Sequence, residues 1–462
     1  MARPSKISSR DIAVHLMARG PVSASDMAAS LRVNRSTITR TLADLGNQVT
    51  SLGATRRTRY ALRRKIRNLS PEWPVYRIDP SGQAHLWSIL TVFHGAWHLS
   101  WPAQAPAWTP LISDPDGLCQ GFPFFLSDIR PQGFLGRAIA RRLSTSHLLP
   151  DNPTHWSDDD TLLFLATAGT DLPGDLVIGD DCLRRALDLL VNPSQTNLVS
   201  PGQEAQAYPG IAALAGTNPP PGSSAGGEQP KFTAILQTPE HRQLLVKFSP
   251  PLSQQIGRRW ADLLVMEFHA LTVLSEIGLT APGHRIIDAD DRRYLEAPRF
   301  DRTPLGGRQG IVSLNALHAA TIDSPFRNWI ESAVYLRQAS LIEDATVHHI
   351  QCLHAFGELI GNTDMHAGNL AFRFTDQLPF QLAPAYDMLP MFWAPGPQGE
   401  LINRPFQPTP PIPSQINAWR QMLSPAREFW SRCLNDERLS PDALIKAREA
   451  DTTLAHLAAR FG

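Results

Sequence analysis

Apolar positions along the chain change period several times, and each change marks an element. In "SRDIAVHLMARG", Ile12, Ala13, Leu16 and Met17 fall on one helical face and Gly20 ends the run. "SASDMAASLRV" reads as a second short helix, capped by Ser23 or Ser25. "NRSTITRTLADLG" opens at Asn34, turns Ile38, Leu42 and Leu45 inward and stops at Gly46. Its outward face offers Arg35, Ser36, Thr37, Thr39 and Arg40. "QVTSLGATRRTRYAL" then alternates as a hairpin with a turn near Gly53-Ala54 and a very basic second strand. Beyond it, "VYRIDPSGQAHLWSIL" predicts two strands around a Pro-Ser-Gly turn, and residues 133–143 and 158–169 predict helices. "KFTAILQ" and "QLLVKFSP" read as adjacent strands, "WADLLVMEFHALTVLSEIG" as a long amphipathic helix, and "PGHRIIDADDRRYLEAPRFDR" as a further strand pair. The remainder is mostly helical: "EDATVHHIQCLHAFGELIG", "QINAWRQMLSPAREFWSRCL" and "PDALIKAREADTTLAHLAARFG".

At 462 residues the chain exceeds one compact core, and a length prior gives roughly three domains. The pattern places boundaries at 1–68, a helical domain with a basic hairpin; 69–300, a strand-rich lobe; and 301–462, a helical lobe. The start has no apolar core of a secretory signal, and no stretch reaches the ~18 uninterrupted apolar residues of a membrane helix. "LWSILTVFHGAWHLSW" comes nearest and is broken by His94 and His98. Cys119, Cys182, Cys352 and Cys433 lie far apart without a CxxC pair, which argues against a zinc knuckle or disulfide framework and fits a reducing cytoplasm. The expectation is a cytoplasmic protein with no membrane partner.

Charge sharpens the reading of the first segment. The formal net charge is zero, yet residues 1–68 hold 14 Lys and Arg against Asp11, Asp26 and Asp44, so the segment is +11 and the rest −11. Three helices followed by a basic hairpin resemble the winged helix-turn-helix family of DNA-binding domains. Arg35, Ser36, Thr37 and Arg40 would face base edges and phosphates in a major groove, and Arg56, Arg57 and Arg59 of the wing would face phosphates.

The second concentration of polar residues is "GNTDMHAGN" (361–369), set between the apolar runs "HAFGELI" and "LAFRF". Gly361, Asn362 and Gly368 read as loop punctuation. Asp364 and Asn369, however, have the D-x-x-x-x-N spacing of a kinase catalytic loop, where Asp orients the attacking hydroxyl and Asn holds a metal. Asp387 in "LAPAYDMLP" follows at the right interval for a second metal ligand. Lys247, ending the strand "QLLVK", is a candidate phosphate contact that Glu267 on the next helix would orient. The Pro-, Gly- and Ser-rich stretch 218–230 reads either as a linker or as a loop covering phosphates. Each match is weak alone; their order along the chain is what carries weight.

"SSAGGEQPKF", "LLVKF", "EAPRFDR", "LIGNTDMHAGNLAF" and "LAPAYDML" together resemble the successive motifs of HipA-type serine/threonine kinase toxins, strongly over 221–395 and with flanks over 120–450. Within that family, the chain looks like the branch with a fused N-terminal helix-turn-helix domain. The resemblance implies an α+β, two-lobed protein-kinase-like fold behind a winged helix-turn-helix domain. It also implies Mg2+-dependent transfer of the ATP γ-phosphoryl group to protein serines. Asp364 would be the base, Asn369 and Asp387 the Mg2+ ligands, and Lys247 the phosphate contact, with Ser224, Ala225, Gly226 and Gly227 covering the nucleotide. Glu296 to Phe300 would be the adenine hinge, and Ser223 and Ser224 would be sites of autophosphorylation; His366, which kinase logic does not explain, either hydrogen-bonds its own loop or lies beside the cofactor. Glu228 and Pro230 in "GEQPK" depart from the "GAQEK"-like form of the best-known members. The implied partners are DNA and a protein substrate. Typical relatives rely on a separate helix-turn-helix antitoxin, and the fused domain leaves that dependence open. Two other readings stay open at this point. One is a metal-dependent nuclease built on Asp364, His366, Asn369 and Asp387; the other is a pseudokinase that regulates transcription.

Overall fold

The computed structural model describes all residues except 1–6, 120, 148, 193–196, 217–228 and 397. The first unit contains helices Ser9–Arg19, Ala24–Leu31 and Arg35–Ala43 and a three-stranded antiparallel sheet. In that sheet Arg59–Leu62 runs between Val22–Ser23 and Val49–Leu52. Ser8 and Asp11 form a reciprocal cap on the first helix, and Ser23 caps the second. Ile12, Leu16, Met27, Ile38, Leu42 and Leu45 build the small core. Met17, expected on the inward face, is half exposed, whereas Ile12 and Leu16 are fully buried where the helix packs on the third helix and the strand Arg59–Leu62.

This unit is docked on the next one. Arg64 N–H donates to the Val92 carbonyl at 2.9 Å and His94 N–H to the Leu62 carbonyl at 3.0 Å, while Leu52 and Ala61 pack on Phe93. Acidic side chains line the contact. Arg63 pairs with Glu72 at 3.0 Å, Arg64 with Asp159, and Arg67 with Asp160 at 3.5 Å. Part of the +11 charge is therefore neutralised inside the molecule. Arg59 is the clearest case, since its guanidinium is held by Asp114 and, at 3.3 Å, by Asp116. The expectation that Arg59 stands free for phosphates is corrected; charge along a sequence does not reveal which carboxylates the fold will bring opposite.

Residues 69–300, read from the sequence as one lobe, carry two separate five-stranded sheets. The first, in order Leu118–Cys119, Ala96–Ser100, Ala84–Phe93, Glu72–Ile78 and Leu176–Ile178, is antiparallel throughout. Its core is continuous with that of the helical C-terminal lobe. Trp87, Trp108, Phe124, Phe125 and Phe374 pack at ring separations of 4.9–6.2 Å, a spacing at which edge-on and offset aromatic pairs attract. Trp108 Nε1–H donates to the Thr375 carbonyl and Trp87 Nε1–H to Asp376, both at 2.9 Å.

The second sheet, in order Arg285–Ala289, Arg292–Pro298, Arg242–Phe248, Lys231–Leu236 and Leu198–Val199, stands over the helix Gln255–Glu276. Its alternation assigns the faces: Leu244, Val246, Phe248 and Tyr294 form a small core with Tyr208, whereas Lys247 points the other way. The C-terminal lobe stacks helices Trp329–Gln338, Asp344–Ile360, Ile416–Leu434 and Pro441–Phe461. Gly361, in the left-handed conformation at φ +75°, ends the second of these and releases the polar loop.

Candidate active site

The strand residue Lys247 and the helix residue Glu267 meet as their spacing suggested. Lys247 Nζ lies 2.5 Å from Glu267 Oε1, and both side chains are buried. The same ammonium is hydrogen-bonded to Asp387, so one cation bridges a helix carboxylate and a loop carboxylate. Burial by itself would drive the lysine's proton off, but Asp387 and Glu267 outweigh it and hold the pKa above the ordinary lysine value. For Asp387, Lys247 and Lys231 overcome burial and bring the carboxyl down to about 2. Glu267 is pushed upward because burial exceeds the help it gets from Lys247. Asp387 has φ +53°, a left-handed conformation that costs an aspartate energy and turns its side chain back toward the strand lysine.

Asn362 organises the polar loop. It is 3% exposed; its Oδ1 accepts the Asp364 N–H at 3.0 Å, and its Nδ2 donates to the Asp387 carbonyl at 3.3 Å. One side chain thus ties both acidic loops together. Asn369 donates from Nδ2 to the Asp364 carbonyl at 2.9 Å, which leaves its Oδ1 as the available lone-pair donor. The Asp364 carboxyl, on the open side of the loop, is shifted upward by loss of water, with Asp387 adding to the shift and His366 opposing it. His366 accepts the Gly368 N–H on Nδ1 at 3.0 Å, and its carbonyl accepts Trp329 Nε1–H at 2.9 Å. Tyr386 donates its hydroxyl to the Gly368 carbonyl at 2.7 Å and stacks on Phe300, with ring centroids 5.8 Å apart.

Asp364, Asn369 and Asp387 are therefore gathered with Lys247 and Glu267, and Phe300 packs beside Tyr386 at the edge of the same cluster. Glu296 is not part of it. Its register partner is Val246, which puts its side chain on the opposite face from Lys247, fully buried with Tyr208 Oη at 2.5 Å. Glu296, expected in the adenine hinge, therefore offers that side of the strand its backbone and not its carboxylate. Ser223, Ser224, Ala225, Gly226 and Gly227 lie outside the described residues, as does Glu228. Among the described residues no group of three His, Cys, Asp or Glu side chains could hold a metal, so the four-residue nuclease cluster does not assemble as a protein-only metal site. Sequence reasoning passed over Asn362 as punctuation. Its only outward signal was position, one residue past the glycine that ends an apolar helix.

A two-lobed, kinase-like α+β fold with an acidic loop facing a buried lysine defines the class. Comparison with known proteins narrows it. Residues 69–187 match the family model described as YjjJ-like toxin, middle domain, and residues 223–438 match the HipA-like C-terminal domain. Toxin YjjJ of Escherichia coli is 35% identical over 430 residues, covering 92% of this chain and 93% of that protein. A putative kinase, Y4dM, of Sinorhizobium fredii is 24% identical over 289 residues, 58% of this chain and 62% of the relative. Among solved structures, the chain resembles one from a complex of Shewanella oneidensis HipA, HipB and operator DNA. It does so with a TM-score of 0.52 and 14% identity, over 84% of this chain and 97% of that one. The chain belongs to the YjjJ-like family of HipA-related toxins. No helix among the described residues is long and apolar enough to cross a membrane, and all four cysteines are buried and unpaired.

Proposed function

We propose that the chain is a protein kinase that transfers the γ-phosphoryl group of ATP to serine or threonine hydroxyls, with Mg2+ as cofactor. The observation that carries this reading is the Lys247 bridge between Glu267 and Asp387, joined through Asn362 to Asp364. The donor set fits the cofactor: an ionised Asp387 carboxylate and the free Oδ1 of Asn369 are the hard oxygen ligands Mg2+ takes, with nucleotide phosphates completing the shell. Bound Mg2+ would neutralise charge on the transferring phosphate. With Mg2+ and nucleotide bound, Asp387 would hold the metal and Lys247 would meet phosphate oxygens in place of their contact with each other. Glu267 keeps that ammonium aimed, and Asp364 accepts the hydroxyl proton. The upward shift of Asp364 makes it a better base than a fully hydrated aspartate.

The first unit is read as a winged helix-turn-helix domain that binds DNA. Arg35, Ser36 and Arg40 are exposed on the third helix and Thr37 is half-buried there, while Arg56 and Arg57 are exposed at the hairpin turn. The operator DNA named in the Shewanella HipA complex supports this reading, and the HipB named with it keeps a separate antitoxin among the candidate partners. Autophosphorylation at Ser223 or Ser224 rests on the family resemblance alone.

Asp364→Ala should abolish phosphate transfer yet leave Mg·ATP affinity nearly unchanged, because the base contributes mainly in the transition state. Asp387→Ala should lose Mg-dependent ATP binding as well, whereas His366→Ala should cost little. Calorimetry of Mg·ATP binding and phosphosite mass spectrometry of treated lysate read these out. Wild-type protein that binds no Mg·ATP, or a His366 variant as inactive as the Asp364 variant, would defeat the assignment.

A further inference from the structure

A cavity of about 180 Å3 lies between the helix Asp180–Val191, the hairpin Lys231–Leu236 and Arg242–Phe248, and the segment after Pro298. Three guanidiniums, those of Arg299, Arg302 and Arg308, line it together with the Asp171 carboxylate, Thr233 and Gln243. The carboxylates nearby bond the other arginines rather than Arg308, and one buried oxygen of Asp175 has no hydrogen-bond partner among the described residues. Asp301 takes Arg299 at 3.0 Å and Arg302 at 2.7 Å, and Asp171 takes the same two at 2.9 and 2.7 Å. Asp175, whose charge also reaches Arg308, pairs with Arg77 at 3.6 Å, and Asp376 pairs with Arg77 as well.

Arg308 makes no ion pair within 4 Å among the described residues, although the charges of Asp171, Asp175 and Asp301 reach it. It is 3% exposed and gives one N–H, from Nη2, to the Thr170 carbonyl at 2.7 Å. Its Nε and Nη1 have no hydrogen-bond partner among the described residues. A buried charge with orphaned donors is costly unless an acceptor meets it. Burial first, and then Arg302, pull this guanidinium down to about 9, with Asp171 and Asp301 opposing the shift. A guanidinium's donors suit oxyanions, and phosphate above all.

We propose that this cavity binds a phosphate-type oxyanion, held by Arg308 and flanked by the Thr233 hydroxyl and the Gln243 amide. The site lies toward the hairpin turn, where Ile235 faces Gln243, while Lys247 faces Lys231 at the other end of the same strands. It is separate from the acidic loop and does not depend on the kinase reading. The phosphate comes either as the free ion or as a monoester on a small molecule, and the two are told apart by titrating each.

The test is calorimetric titration of the full chain with inorganic phosphate, and separately with O-phosphoserine, at an ionic strength fixed with chloride. One saturable phosphate site is expected. Gln243→Glu, which sets a negative charge on the wall and keeps every buried arginine, should weaken it at least tenfold, and Thr233→Val should weaken it a few-fold. Arg308→Gln should abolish it; if that variant does not fold, the other two carry the test. O-phosphoserine competing with phosphate marks a site open to esters, and no competition marks one for the free ion; both uphold the site. Heats no different from those of chloride, or a Gln243→Glu protein that binds phosphate as tightly as wild type, would overturn it.

Discussion

Replacing Lys247 by methionine isolates the electrostatic design of the centre. The side chain keeps its length and apolar stem but loses the cation between Glu267, whose side chain is 2% exposed, and Asp387, whose side chain is 30% exposed. Asp387 can turn to water. Glu267 cannot, and its Oε2 already lacks a hydrogen-bond partner among the described residues. Breaking a buried pair by removing one member typically costs about 3–5 kcal/mol. At roughly 2–4 °C per kcal/mol for a domain of this size, the melting temperature should fall by roughly 6–20 °C. Two controls make the attribution specific. Lys247→Met combined with Glu267→Leu should recover most of the loss, since an apolar pair of similar volume replaces an ion pair at little cost. The deficit of the single variant should also shrink as pH falls toward 5. Without the lysine, burial raises the Glu267 pKa further, and a carboxyl with a raised folded pKa is stabilised on the acid side. Urea denaturation at pH 5 and pH 7 measures all of this. A single variant within about 1 kcal/mol of wild type, or a double variant no better than the single, would refute the reasoning.

Three further outcomes follow from other contacts. Asn362→Ala should lower the phosphate-transfer rate roughly ten- to a hundredfold with little change in Mg·ATP affinity, because it displaces Asp364 and Asp387 relative to each other without removing either; single-turnover kinetics beside calorimetry separates the two effects. Asp262, which accepts Ser440 N–H at 2.9 Å and Ser440 Oγ–H at 2.6 Å, is raised by burial to about 6. Its protonated form stabilises the fold below pH 4 and that contribution disappears as pH passes 6, so Asp262→Asn should lose about 2 kcal/mol less than wild type between pH 4.5 and 7 in chemical denaturation. Asp114→Asn with Asp116→Asn should free Arg59 and steepen the salt dependence of DNA binding by about one counterion, read by fluorescence anisotropy against salt concentration.

Much of the centre was legible in the chain because kinase chemistry imposes an order that survives without coordinates. A strand lysine, a helix glutamate, an Asp and Asn five apart and a later Asp follow one another in the chain, and hydrogen bonds link Lys247, Glu267 and Asp387, and Asp364 with Asn369. What stayed hidden depends on register and partnership. The face of Glu296 follows from its pairing with Val246, which alternation within one strand cannot supply. Arg59 looked like its basic neighbours until Asp114 and Asp116, some 55 residues on, were brought against it. Asn362 is polar in a polar loop, and only its burial distinguishes it from Thr363 beside it. The division of 69–300 into two sheets was equally invisible, since both halves show the same short apolar strands.

The shared aromatic core sets a constraint on how the protein is made. Trp108 finds its acceptor on a residue 267 positions later in the chain. Domains emerge during synthesis at roughly 5–20 residues per second, so that interval lasts roughly 13–53 s. Throughout it Trp108 waits without the acceptor that seals it, and the polar loop 361–369 is translated only as the interval closes. A toxin assembled this way gains its packed core and its chemistry together, near the end of translation. Nascent chains interrupted before Phe374 lack the ring that packs on Trp87, Trp108, Phe124 and Phe125.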